Sequence, residues 1–527
     1  MTRRVRNRNQ RTVHFDIEYS NAVPRRPVGK VNIMNVKSVT DNSNSGTNIL
    51  IKKKEVPSAR DILNDYLEST SVHGLQYFGK TELNVGILGK ILWTCTIVTS
   101  FVCLSMMIMQ FLARYNNNPT NTFIKSFTAP IFQAPFPAVT ICPVTPISMR
   151  KRLAILENAI LPENVSRQLA LDMLKYGHHI TNPYAIKEFD DMDKFKALLH
   201  ANKWTVSEFL KILLPCVDIF DSCSWRFERI DCSKSIKESY TSYGVCCSFN
   251  YLLEDYMDGL NEQPKLEPLN TASSGRFSGL KLVINEEYLV DSDIDLNDTL
   301  KFTNSEGMTV LIHHSYDFPG LNTDMFVLQT NHELEIAVDP QLTEKPSGMQ
   351  HRGYNNTLVP ICITDDENPL EYFPVYGFSN CYANCRVRIM LQVCGCLPFI
   401  YNHISKLHNI KNCGIDELPC IQRNTKLIGI MKDIENDNFS CSCRTPCANI
   451  DYDVFPNMIS LTQRKGNAVV KVFMYSQSFP ILITLPAADE TYLLASIGGI
   501  FSLFFGSSFL SLVEIVYFLY LLCRSLF

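Results

Sequence analysis

Thr491 to Leu522 reads TYLLASIGGIFSLFFGSSFLSLVEIVYFLYLL, and its single charge is Glu514. A hydrocarbon core about 30 Å thick takes roughly 20 helical residues to cross. At about 1.5 Å per residue, a straight helix of this length overshoots the core by more than half, so the segment must tilt, break or extend beyond the bilayer. Its middle holds Gly498, Gly499, Gly506, Ser507 and Ser508. Small residues there have two uses. They form a face on which membrane helices pack, or they let backbones approach and offer hydroxyl and carbonyl oxygens that replace water around a small cation. Glu514 is costly in lipid unless it faces a wet cavity or pairs with a base such as Arg524.

Upstream, Ile91 to Ala113 (ILWTCTIVTSFVCLSMMIMQFLA) is an uncharged stretch of 23 residues, long enough for one span. It begins too far along the chain to be the apolar region of a cleaved signal peptide. The chain of 527 residues has a net charge of −4, which argues against a nucleic-acid partner. That sum hides an asymmetry: residues 1–90 carry 15 basic and 8 acidic side chains, or +7, leaving −11 for the rest. Basic residues beside a span favour the cytosol, and two spans return the chain to the same side, so both termini are expected to be cytosolic. Residues 114–490 would then lie outside, 491–522 would form the second span, and 523–527 would be a very short cytosolic tail. The four N-x-S/T sites, Asn164, Asn297, Asn355 and Asn438, all fall in the outer region, as do 16 of the 19 cysteines. This is the pattern of a glycosylated, disulfide-bonded domain in an oxidising compartment. The leader up to Ser58 is polar, lacks apolar periodicity and is expected to be mostly disordered, with Lys52, Lys53 and Lys54 as a solvated tail near anionic lipid.

Within the outer region, GLKLVIN (Gly279 to Asn285), GMTVLIHH (Gly307 to His314), DMFVLQT (Asp324 to Thr330) and NAVVKVFM (Asn467 to Met474) have the composition of strands. Helical spacing appears at Ser148 to Gly177, Asp191 to Leu214 and Cys385 to Val393. The fold class is therefore an α+β membrane protein, with two transmembrane helices flanking one large, strand-centred, disulfide-rich domain with peripheral helices. Ten late cysteines, Cys362 to Cys447, have spacings that nearly mirror each other from the two ends. A mirrored series suits two antiparallel segments laddered by nested disulfides, although spacing alone does not assign partners. Structural zinc is the competing use of such spacings and is disfavoured in an oxidising compartment, so no metal and no cofactor is expected. The acidic stretches Asp291 to Asp298 and Asp365 to Glu367 lack the Gly and terminal Glu of a calcium loop and are read as solvated loops.

Together these fragments resemble the degenerin/epithelial sodium channel family, and within it the insect pickpocket branch. The resemblance rests on His73-Gly74 before the first span, FPAVTIC (Phe136 to Cys142) after it, and TSYGVCCSFN (Thr241 to Asn250). CYANCRVRIMLQVCGCLPF (Cys381 to Phe399), CSCRTPC (Cys441 to Cys447), Ile497-Gly498-Gly499 and Gly506-Ser507-Ser508 complete the series. It implies a trimer at the plasma membrane, either a homotrimer or a heterotrimer with related subunits, conducting sodium and blocked by amiloride. Gly506, Ser507 and Ser508 would be the selectivity filter, Glu514, Ser496 and Ala495 would line the pore and its mouths, and His73-Gly74 would act in gating. The implied disulfides are Cys362 with Cys447, Cys381 with Cys443, Cys385 with Cys441, Cys394 with Cys420, and Cys396 with Cys413. Earlier in the chain they are Cys142 with Cys246, Cys223 with Cys232, and Cys216 with Cys247.

Two positions depart from the family pattern. Ser496 stands where many relatives carry an acid, and Ile361 precedes Cys362 where some carry Trp. The expected function is a subunit of a cation channel opened by an extracellular stimulus that the sequence does not identify. The alternative is a non-conducting or accessory two-span subunit that needs a partner. An enzyme is not expected: the chain has neither a G-x-S-x-G elbow nor H-E-x-x-H.

Overall fold

The structure is a computed structural model that describes residues 58–78, 86–117, 120–144, 147–184, 189–259, 265–289, 307–352, 357–431, 441–462 and 466–526. The leader with Lys52 to Lys54, the acidic stretch Asp291 to Asp298, and Asn297, Asn355 and Asn438 lie outside the described residues.

Ile87–Asn116 is one continuous helix that contains the whole first apolar stretch, and among the described residues it alone is long and apolar enough to cross a membrane by itself. The second stretch forms two helices, Glu490–Phe505 and Phe509–Leu526, bent by 73° at the break between them. The break is where a helix would be expected to stop, since Gly506 adopts a left-handed φ of +60° that disfavours side chains with a Cβ. The first helix and the upper half of the second segment lie together, with Phe111 and Tyr492 rings 6.0 Å apart and the Arg114 guanidinium 5.9 Å from the Tyr492 ring.

Among the described residues, two large sheets and two short two-stranded ones occupy the region between the apolar segments. The larger runs Thr120–Pro130, Ser478–Pro486, His332–Glu344, Ala468–Met474, Leu280–Ile284, Phe220–Trp225, Glu228–Ile230, and Ala448–Ser460 pairs along His332–Glu344. The smaller runs Ile236–Thr241, Gly244–Phe249, Ala138–Pro143, Met308–His313, Asp324–Leu328. Period-two alternation explains how they pack. Leu334, Ile336 and Val338 from the larger sheet and Met308, Val310 and Ile312 from the smaller point into one shared core. A second core gathers the peripheral helices, including Phe195, Phe209, Val387 and Met390.

Each of the four expected strands is present, and four longer ones escaped the sequence reading: Thr120–Pro130, His332–Glu344, Ala448–Ser460 and Ser478–Pro486. Proline hides two of them. Pro456 sits in Ala448–Ser460, which pairs along one side only, and an edge tolerates a residue without an N–H. Pro340 sits in a central strand, yet His332–Glu344 pairs with Ala468–Met474 only as far as Val338 and with Ser478–Pro486 only from Leu342, so Pro340 falls in the gap between its parallel partners. The helical pattern at Ser148 to Gly177 splits into Met149–Asn158 and Arg167–Lys175, the second opened by the Ser166 hydroxyl accepting from Leu169 N–H at 3.2 Å. Val206–Leu213 opens with a capping box between Thr205 and Glu208.

Eight disulfides join Cys142–Cys246, Cys216–Cys247, Cys223–Cys232, Cys362–Cys447, Cys381–Cys443, Cys385–Cys441, Cys394–Cys420 and Cys396–Cys413. The mirrored series is a helix, Phe378–Cys394, laddered to an antiparallel segment by Cys381–Cys443 and Cys385–Cys441, with Cys362–Cys447 outside the helix beside a short parallel strand pair, and Cys394–Cys420 and Cys396–Cys413 closing the chain at and just past the helix end. The sulfurs of Cys381, Cys385, Cys441 and Cys443 lie within 4.8 Å of one another, but as two bonded pairs.

Candidate functional site at the broken segment

The break is defined by few bonds. Gly506 N–H donates to Ser502 O at 2.8 Å and ends the upper helix. Ser507 Oγ turns back to donate to Phe501 O at 3.2 Å. Ser508 N–H donates to Ser511 Oγ at 2.9 Å, which starts the lower helix with its first turn anchored by a side chain. Backbone groups released at a break inside an apolar segment must be buried in protein or face water.

Residues 58–78 fold back beneath this break. The helix Ala59–Ser69 places Ile62 and Tyr66, four residues apart on one face, against Ile515, Phe518, Leu519 and Leu522, and the Tyr66 and Phe518 rings lie 5.2 Å apart. Gly74 takes a φ of +92°, which turns the chain toward the first apolar helix, where Tyr77 stacks on Trp93 at 4.2 Å. Between these anchors, His73 N–H donates to Phe505 O at 2.9 Å. The His73 ring lies so close to Gly506 that a Cβ there would fall 2.0 Å from His73 Cδ2. Only glycine meets both demands at position 506, the left-handed backbone and the room for the imidazole.

The structure thus brings His73 and Gly74 to Gly506, Ser507 and Ser508, and it adds two residues the sequence reading passed over. Ser511 is buried, and its hydroxyl lies 2.7 Å from Ser71 Oγ. Ser71 in turn donates to Glu514 Oε2 at 3.2 Å. The available signal was spacing, since Ser508, Ser511 and Glu514 recur every three residues from the break into the lower helix. Glu514 and Arg524 are separated by about 15 Å of helix and do not pair within the chain. Ala495 and Ser496 lie on the upper helix, away from these contacts, with Ala495 exposed and Ser496 partly so. Asn164 is exposed in the turn after Met149–Asn158. Cys95, Cys103 and Cys523 are free thiols in the apolar helices.

Residues 66–518 match the family described as amiloride-sensitive sodium channel. The sodium channel protein Nach of Drosophila melanogaster is 29% identical over 481 residues, covering 87% of each chain. Pickpocket protein 19 of the same species is 24% identical, covering 87% of this chain and 90% of its own, and the bile acid-sensitive ion channel of Rattus norvegicus is 25% identical, covering 89% and 90%. With the match running from beneath the break, through both sheets, to the lower half of the second apolar segment, the chain belongs to the amiloride-sensitive sodium channel (degenerin/epithelial sodium channel) family.

Proposed function

We propose that this chain is a pore-forming subunit of a trimeric, sodium-selective, amiloride-blocked channel of the plasma membrane. The observation that carries this reading is the break at Gly506 to Ser508, seated on His73 and Gly74. Residues 91–113 and 491–522 are the two spans, residues 1–90 and 523–527 are cytosolic, and 114–490 is extracellular. Three copies around one axis would surround the released backbone and the hydroxyls of Ser507 and Ser508 with protein on the outside and water on the inside. That is the condition under which an irregular segment persists at membrane depth. There, a ring of oxygens replaces part of the hydration of a small cation. Glu514 from each copy would draw cations to the inner mouth. The Gly498 and Gly499 face is open, with nothing within 4 Å of where a methyl would stand at either position, which suits close approach of a neighbouring copy.

The extracellular region would act on the pore through short covalent links. Thr120–Pro130 begins just after the first apolar helix, and its partner Ser478–Pro486 ends just before the second segment, so a shift of this strand pair moves both spans. His73-Gly74 is then the inner counterpart, a segment that must stay seated or leave as the break changes shape. The family is one of ion channels, and the reading adopted is a channel subunit and not an enzyme. The names of its relatives, a sodium channel and a bile acid-sensitive channel, agree with an extracellular stimulus without naming the one used here.

The test is whole-cell current from the chain expressed alone with Ala495→Phe, which places bulk on the upper pore helix to hold it open. A sodium-selective, amiloride-blocked current whose selectivity falls with Ser508→Ala is expected. Silence with verified surface expression would refute homomeric conduction and favour the accessory role with a partner subunit.

A further inference from the structure

In the region between the apolar segments, a cavity of about 510 Å³ opens where several pieces of chain meet. They include the linker at Gln133 and Pro135, the strap from Lys265 to Asn270, the turn from His314 to Asp317, Asp365, the start of the helix Phe378–Cys394, and the stretch from Pro446 to Ile450. Its volume lies in the range of small-molecule sites. The wall is built and anchored: Pro135 bridges Asn270, Phe136 N–H donates to Leu269 O at 2.7 Å, and Tyr316 OH donates to Leu266 O. Three aromatic rings, Tyr316, Tyr376 and Phe378, line it.

Its charge is lopsided. Glu267 and Asp365 contribute carboxylates, burial lifts the Asp317 carboxyl to about 7 so that it adds little, and Lys265 is the one Lys or Arg among the described lining residues. His314 adds no positive charge near neutrality, because burial lowers its imidazole to about 4. Lys265 also reports what the cavity prefers. Its ammonium sits 4.9 Å from the centre of the Tyr316 ring and 3.9 Å from Asp365 Oδ2 while remaining partly exposed. An aromatic face with a carboxylate beside it is the arrangement that holds an ammonium group, and here a flexible side chain of the protein occupies it.

We propose that this cavity binds a small organic ammonium compound with an apolar body, and that Lys265 is its built-in competitor. The ligand's cation takes the place of the lysine over Tyr316, its body contacts Tyr376 and Phe378, and Asp365 balances the charge. Gln133 and Pro135 lie in the linker that continues from Thr120–Pro130, so occupancy would bear on the strand pair leading to both spans. This last clause rests on the channel reading, whereas binding itself does not, and the two are measured separately.

Phenethylamine and its neutral isostere 2-phenylethanol are titrated calorimetrically into the purified, disulfide-intact full chain in detergent. The amine is expected to bind at least about tenfold tighter than the alcohol, the ratio that roughly 1.4 kcal/mol of charge recognition produces. Lys265→Ala should tighten the amine about fivefold by removing the competitor, and Asp365→Asn should weaken it about threefold. Both side chains are exposed, so neither variant threatens the fold. Equal affinity for amine and alcohol, no amine binding to either wild type or Lys265→Ala, or a loss of binding in Lys265→Ala would each overturn the proposal. Tight binding of 3-phenylpropionate that Lys265→Ala abolishes would identify an anion site instead. If the amine binds as expected but leaves the Ala495→Phe current unchanged, the site stands and its coupling to the pore does not.

Discussion

Replacing Gly506 with alanine tests how the break is held. Two costs arise. A residue with a Cβ pays about 1–2 kcal/mol to hold the left-handed conformation that Gly506 adopts at φ +60°. The new methyl would also lie 2.0 Å from His73 Cδ2, so the imidazole must swing away, at about 0.5–1.5 kcal/mol for leaving its rotamer. Both are relieved in the same way: the break reshapes and Phe505 O parts from His73 N–H. Together they shift the seated arrangement by about 2 kcal/mol, roughly a 30-fold change in how often residues 71–74 lift away. Ser511 reports the lifting, because it is 2% exposed and its hydroxyl contacts Ser71. In the purified chain, with labelling at Cys95, Cys103 and Cys523 separated by peptide mapping, the maleimide reaction of Ser511→Cys should accelerate about 30-fold when Gly506→Ala is added. In a His73→Ala background the overlap is gone and only the backbone cost remains, so the acceleration should shrink about fivefold, a coupling near 1 kcal/mol. A rate within twofold of the parent, or the same acceleration with and without His73, would refute the reasoning.

Removing the Cys381–Cys443 bond with paired serines frees only the short ring of chain between it and the neighbouring Cys385–Cys441 bond, and should cost about 2 kcal/mol, read as a loss in denaturant midpoint with the other seven bonds intact. Asn380→Leu should cost about 3 kcal/mol or more, since this fully buried amide accepts from Phe318 N–H at 2.8 Å and donates to Tyr316 O at 2.8 Å, leaving both unpaired in its absence. Burial, with Asp451 adding repulsion and the Ser379 hydroxyl opposing it, lifts the Asp317 carboxyl to about 7. The folded state therefore favours the protonated acid: its stabilisation is complete below pH 3.8 and is lost as pH rises through 7. Asp317→Asn, which stays neutral, should melt near wild type at pH 4 and gain on it by up to about 4 kcal/mol at pH 8; a constant difference across that range would count against the shift.

What could be read from the residues divides along a physical line. Signals that repeat locally were legible: the apolar runs, the alternating or continuously apolar strands Leu280–Ile284 and Met308–His313, and the small residues that break the second segment. His332–Glu344 carried the same alternation, yet Pro340 argued against a central strand, and only the gap between its two parallel partners makes that proline harmless. Ala448–Ser460 had no local reason to be extended, since most of it is exposed and its conformation is set by thirteen paired positions along a strand far earlier in the chain. The same logic governs the candidate site. Gly506 announces a break by its own chemistry, whereas the partner that makes glycine necessary, His73, arrives through the topology, and Ser71 meets Ser511 across 440 residues. A serine has no periodicity to betray it, and its hydroxyl acquires a role only when folding sets it against another polar group in an apolar setting. Sequence therefore exposes residues whose function is to disturb a regular pattern and conceals those that stabilise the disturbance. The second kind is found by following each released backbone group of the break to the side chain that receives it.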